Sequence, residues 1–189
     1  MRRTLLPLIA GLLLIAPAFG ATVDGVTVAD SARVGGATLQ LNGAGRRTKY
    51  FFNVYVAALY LRARTATAAV ALADPGPIRL SMTLMRHLSA SQLVDALREG
   101  IARNADAAAL ARTRADLEAL VATMRAIGGA DRGDLITLDF LADGSTVVGL
   151  DGRPRGRPIP GREFQRQLLS IWLGADPVQG DLRRELLGG

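Results

Sequence analysis

Apolar and polar positions along this chain change rhythm several times, and each change predicts an element. Val23–Ala29 and Thr38–Leu41 read as short strands separated by a Gly35-Gly36 turn. Lys49–Leu61 is a run of aromatic and β-branched residues, predicted as one long strand. Its two parities, Phe51, Asn53, Tyr55 against Tyr50, Phe52, Val54, Val56, are both largely apolar, so the strand is expected to be covered on both faces. Ile78–Met85 alternates Ile78, Leu80, Met82, Leu84 against Arg79, Ser81, Thr83, the period-two pattern of a half-covered strand. Between them, Thr65–Ala73 is Ala-rich and predicts a short helix stopped at Asp74-Pro75-Gly76.

The rhythm then turns helical. Ser89 and Gln92 form a Ser-x-x-Gln capping box that opens a helix through Arg103, with Leu93, Leu97 and Ile101 inward. Leu110, Leu117, Leu120, Val121, Met124 and Ile127 predict one helix over Asp106–Ile127, ended by Gly128-Gly129. Leu135–Leu141 and Thr146–Leu150 flank Ala142–Ser145 as a hairpin. Gly161–Leu173 and Val178–Leu187 close the chain as helices. Strands, helices, a hairpin and helices again make an α+β domain over 21–189.

The segment LNGAGRRTKYFFNVYVAALYL (Leu41–Leu61) resembles the chalcone isomerase fold family, and within it the bacterial exported chalcone-isomerase-like branch. Met85–Gly100, Gly133–Leu141 and Gly152–Leu187 extend the match in the family's order. The resemblance implies an open-faced β-sandwich: an antiparallel sheet with helices layered on one face and a ligand cleft between the layers. In the family's plant enzymes an Arg after the Gly-rich turn positions a phenolate. A strand Thr and a helix Tyr polarise the ketone through water, and a helix Asn and a late-helix Thr or Ser hold the far end. Carried over in register, these positions fall on Arg47, Tyr55, Leu93, Gly100 and Ile171 respectively.

Only the cation survives. Leu93, Gly100 and Ile171 offer no side-chain hydrogen-bond donor, and Gly100 is expected to leave open space. Loss of one preorganised oxyanion donor costs about 3–4 kcal/mol of barrier, so chalcone cyclisation is disfavoured and no catalytic residue is assigned. What remains, an apolar cleft with one guanidinium and one phenol, suits an amphipathic carboxylate. The fatty-acid-binding branch of the family uses an Arg and a Tyr in that way. The expected function is therefore binding of a small fatty-acid-like ligand; the alternative is a lyase or isomerase acting on an unknown enone or acid. Against both stands the reading in which Arg47 pairs with a surface acid and Tyr55 is a core tyrosine. A straight strand would separate Arg47 and Tyr55 by about 26 Å at ~3.3 Å per residue, so they can meet only if the chain folds back near Thr48–Phe52.

Composition narrows the setting. Met1–Gly20 reads as a cleavable secretory leader, with Arg2-Arg3, an apolar Leu5–Ala16 and Ala18-Phe19-Gly20 as cleavage site, which predicts a periplasmic domain from Ala21. Removing Arg2 and Arg3 takes the 23 basic residues to 21 against 17 acids, a mild excess of four. No cysteine and a single histidine, His87, leave no metal site of the usual ligand set, and no cofactor is expected. Pro154–Pro158 spells PRGRP, an AT-hook core, but the export signal opposes it. The stretch is read as a Pro/Gly loop, without nucleic-acid binding and with at most a weak contact to anionic lipid headgroups. No stable membrane insertion is expected, and a protein partner is left unassigned.

Overall fold

The computed structural model describes residues 20–189. The leader predicted at Met1–Gly20 lies outside the described residues except for Gly20. A seven-stranded antiparallel sheet is the frame, and its chain starts on one face of it. Strands β1 (Ala21–Val23) and β2 (Val26–Val28) form a separate ribbon; β3 (Ser31–Val34) and β4 (Ala37–Lys49) then enter the sheet, followed by β5 (Phe52–Leu61). After the short helix α1 (Ala68–Ala73) come β6 (Ile78–Leu84) and the two-residue β7 (Leu88–Ser89). Helices α2 (Ala90–Ala102), α3 (Ala107–Arg112) and α4 (Arg114–Ile127) lead to β8 (Gly129–Ala130), which pairs with β7. The remainder is β9 (Leu135–Phe140), β10 (Thr146–Leu150), β11 (Arg153–Ile159), α5 (Arg162–Leu173) and α6 (Gly180–Leu186). The sheet order is β11-β10-β9-β6-β5-β4-β3, which is the α+β, helices-on-one-face architecture expected from the sequence.

Two cores flank this sheet. On the helix side, Ala57, Leu59, Leu61, Leu80, Leu84, Ile136 and Leu138 pack against Val94, Ile101, Leu120, Met124, Phe164, Leu168 and Trp172. On the other side Leu39, Leu41, Val56, Ala58 and Tyr60 pack with Val28 and Val34 under the β1–β2 ribbon. Successive β5 residues therefore serve opposite cores, which is why both of its parities are apolar.

Five predicted elements differ from the structure. Val23–Ala29 is not one strand but the β1–β2 hairpin, reversed at Asp24-Gly25, and Thr38–Leu41 is the start of the thirteen-residue β4, which continues through Gly43 and Gly45. Lys49–Leu61 is not one strand: the chain reverses at Tyr50-Phe51, pairing Lys49 with Phe52, so the aromatic run holds a hairpin turn with no Gly, Pro, Asn or Asp. Asp106–Ile127 is two helices, interrupted at Thr113, whose hydroxyl donates to Gln167 Oε1 (2.6 Å) and lies 3.1 Å from Ala109 O. Pro154–Pro158 is not a loop but part of edge strand β11, where proline's missing N–H faces no neighbour. The Ser89–Gln92 capping box forms as read, and Gly128 ends α4 in the left-handed conformation.

Candidate functional site

The hairpin turn places Arg47 and Tyr55, eight residues apart in sequence, directly opposite each other. Cross-strand partners share a face, with Cβ atoms about 5 Å apart. Which face depends on an irregularity upstream. The β4–β5 register slips between Leu41 and Gly43, so Asn42 is an extra residue. Before the slip, Leu39 and Leu41 point into the ribbon-side core; after it, Gly43, Gly45 and Arg47 share the helix side with Leu59, Ala57 and Tyr55, while Ala44 and Arg46 keep to the ribbon side. A second slip between Arg47 and Thr48 falls at Val54, whose carbonyl accepts from Met85 N at 2.9 Å.

Asn42 fixes the first slip. Its side chain is buried, donates to Leu186 O (2.7 Å) and Thr65 O (3.1 Å), and accepts from Thr65 N (2.7 Å). This ties the end of α6 to the strand. Gly43 and Gly45 let α6 lie flat: a Cβ on Gly43 would overlap the Glu185 and Leu186 backbone, and one on Gly45 the Glu185 side chain. Ahead of α6, Gln179 brackets the second slip. Its Oε1 accepts from Thr48 N (2.9 Å) and Arg47 Nη1 (3.2 Å), and its Nε2 donates to Arg46 O (3.2 Å).

The two arginines differ sharply. Arg46 is ion-paired with Asp24 of the β1–β2 turn at 2.6 Å. Arg47 donates from Nη1 to Gln179 Oε1 and the Thr48 carbonyl and has no carboxylate partner among the described residues. Glu185 stands over Gly45 on the same face without closing an ion pair to it. The surface-acid pairing entertained for Arg47 thus belongs to its neighbour.

Across the strand, the Tyr55 hydroxyl accepts a hydrogen bond from Trp172 Nε1 at 2.9 Å. Indole N–H can only donate, so the phenol keeps its own proton for a further acceptor. Burial raises its pKa above the ordinary tyrosine value, opposed by the Trp172 donor and by Arg47's charge, so the phenol stays protonated. A guanidinium without an acid and a phenol with a free proton lie opposite each other on the sheet face that the helices cover. Such a pair complements one oxyanion.

Of the apolar positions, Leu93 is half-buried in the first turn of α2 and packs on the same core as Tyr55 and Trp172. Gly100 and Ile171 meet each other: a Cβ on Gly100 would lie 2.7 Å from Ile171 Cγ2. The open space expected at Gly100 is therefore filled by Ile171, and the glycine serves close packing of α2 on α5. Sequence reasoning missed Gln179, which lies 132 residues from Arg47 in a polar loop with no local signal. The bond from Trp172 to Tyr55, 117 residues apart, likewise has no local signal in the sequence. His87, between β6 and β7, hydrogen-bonds Asp131, which follows β8, at 2.6 Å. Among the described residues no cluster of three or more His, Cys, Asp or Glu could hold a metal ion, and no helix is long and apolar enough to cross a membrane.

A family model described as chalcone isomerase-like matches residues 20–188. Among curated proteins none matches the chain. Among solved structures, the crystal structure of a fatty-acid binding protein from Arabidopsis thaliana is similar with a TM-score of 0.61 and 14% sequence identity, covering 83% of this chain and 95% of that chain. At that identity the likeness speaks for the fold.

Proposed function

The chain belongs to the chalcone isomerase-like family, and on that premise we propose that it binds a small amphipathic carboxylate, fatty-acid-like in class, without turning it over. The observation that carries this reading is the pairing of an acid-free guanidinium, Arg47, with a proton-donating phenol, Tyr55, on one face of the sheet. A carboxylate takes a charge-assisted bond from the first and a neutral one from the second. Gln179 and Trp172 hold the two donors in place from α6's leading residue and from α5. A tail would run from Leu93 toward the Gly100–Ile171 contact, seven residues of α2 or about 10 Å further on, where α2 and α5 must part to admit it. The fatty-acid binding protein with the same fold supports the ligand class.

The apolar residues at 93, 100 and 171 argue against the family's cyclisation chemistry, because no group there can hold a substrate's second polar end. Export is part of the proposal: the leader read in Met1–Gly20 would deliver the domain to the periplasm. N-terminal sequencing of chain recovered from a periplasmic extract tests it, with Ala21 expected as first residue.

Native mass spectrometry of that material, wild type beside Arg47→Ala, tests the binding proposal. A co-purifying acid present in the wild type and absent in Arg47→Ala is expected. A wild type that stays empty after incubation with palmitate, or that consumes an enone, would overturn it.

A further inference from the structure

The β4–β5 hairpin breaks two local rules at once. Phe51 is 97% exposed, Tyr50 84% and Phe52 57%, three consecutive aromatic rings in water at the tip of a two-residue turn. Tyr50 also has φ of 55°, the left-handed region, which costs a non-glycine residue about 1 kcal/mol or more. Glycine or asparagine would relieve both faults. Such violations concentrate where a surface has work to do.

The charges directly adjoining the rings are basic. Lys49 precedes them, and the Arg86 guanidinium lies over the Phe52 ring at 4.7 Å. Neither cation enters an ion pair among the described residues. The acids on neighbouring turns are bound locally: Asp131 to His87 (2.6 Å), Asp134 to Asp131 N (2.7 Å) and Asp151 to Leu135 N (2.9 Å). Aromatic rings rimmed by cations match the headgroup–acyl boundary of an anionic bilayer, where amphipathic rings settle and each nearby basic residue adds attraction. The tip is convex, so it buries its rings most readily in a medium that deforms around it.

We propose that Tyr50, Phe51 and Phe52 form a docking tip that enters the surface of an anionic lipid bilayer, with Lys49 and Arg86 on its phosphates. Arg47 lies about 10 Å behind Tyr50 along β4, three residues at ~3.3 Å each, so a docked tip brings the Arg47–Tyr55 pair to headgroup depth. Only this last consequence, loading of the ligand from the membrane, rests on the binding proposal above; the docking does not.

Sedimentation of the purified domain with phosphatidylglycerol/phosphatidylcholine vesicles, and with pure phosphatidylcholine vesicles, tests it. Wild type should co-sediment with the anionic vesicles. Phe51→Ser should weaken that about tenfold or more, and Tyr50→Ser/Phe51→Ser/Phe52→Ser should abolish it. Lys49→Ala and Arg86→Ala should each weaken it roughly fivefold, on anionic vesicles only. Because the Phe51 ring is almost wholly in water, Phe51→Ser should melt at the wild-type temperature, which excludes misfolding as the cause. The triple variant should still respond to palmitate in solution through the fluorescence of Trp172, the only tryptophan. Palmitate response without vesicle binding in the wild type would sink the docking alone; vesicle binding without palmitate response would uphold docking and remove the ligand reading. Vesicle binding by the triple variant equal to wild type, or self-association abolished by Phe51→Ser, would overturn the proposal, the latter in favour of a second copy of this chain.

Discussion

The two faces of β4 and β5 carry the same chemical groups and use them in opposite ways. On the ribbon side Arg46 is closed on Asp24, and Arg79 on β6, two strands from it, makes a two-pronged bond to Asp139 at 2.6 and 2.7 Å. Tyr60, on that same side, has its pKa raised by burial, opposed by the Ser81 side chain and by Arg79's charge. Both of these cations have an acid. On the helix side Arg47 has none, and Tyr55 accepts a bond that leaves its proton unspent. A residue's type therefore says less about function than whether its partner is internal. The device that sorts the groups is the extra residue Asn42, which moves Arg47 onto the helix side.

The most disruptive way to break the comparison is to move α6 off the strand. Gly43→Ala would drive a methyl group into the Glu185 and Leu186 backbone and should lower stability by about 3 kcal/mol, measured by urea unfolding. Palmitate binding should fall with it, since Gln179 leads into the same helix.

Next is the arginine pair itself. Arg47→Ala should weaken binding of a fatty carboxylate by about 1.5–3 kcal/mol, roughly 10- to 150-fold by calorimetric titration. Arg46→Ala should leave affinity unchanged and cost folding at most about 1 kcal/mol, because its ion pair is partly exposed. The tyrosines sharpen the contrast further. Tyr55→Phe strands the buried Trp172 N–H and should cost about 1 kcal/mol or more in stability, together with a loss of affinity that Tyr60→Phe does not share.

Alkaline titration separates stability from binding. Burial raises the Tyr55 pKa, so the folded state holds that proton more tightly than the unfolded chain does. Its contribution is full below the ordinary tyrosine value of 10.0 and is lost as pH rises through the raised folded value. Tyr55→Phe should flatten the decline above that pH, with Tyr60, raised for the same reason, supplying what slope remains. The smallest expected effect is at Glu185, which stands over Gly45 near the proposed anion position. Glu185→Gln should tighten carboxylate binding by roughly two- to fivefold, equivalent to less than about 1 kcal/mol.

Elements whose cause is local were legible in the sequence. The capping box at Ser89 and Gln92, the left-handed Gly128 and the alternation of Ile78–Leu84 all act within a few residues. Features set by distant partners were not. The turn at Tyr50-Phe51 lacks any turn-forming residue, so a hairpin looked like one strand. Thr113 interrupts a helix by bonding Gln167, 54 residues away. PRGRP looks like a loop until the neighbouring strand β10 is known. At the site, Arg47 and Tyr55 were identified through the family's motif, and the condition set for them, a chain reversal between Thr48 and Phe52, is met. The filling of Gly100's space by Ile171 and the grip of Gln179 on β4 depend on packing across the whole chain.

Trp172 offers the most direct test of the central claim, since its indole touches the Tyr55 hydroxyl and no other tryptophan obscures it. Palmitate should be titrated into wild type, Arg46→Ala and Arg47→Ala while Trp172 emission is followed. The account predicts a saturable change in wild type and Arg46→Ala, displaced to at least roughly tenfold higher concentration in Arg47→Ala. An identical curve in Arg47→Ala, or the same shift in Arg46→Ala, would contradict it.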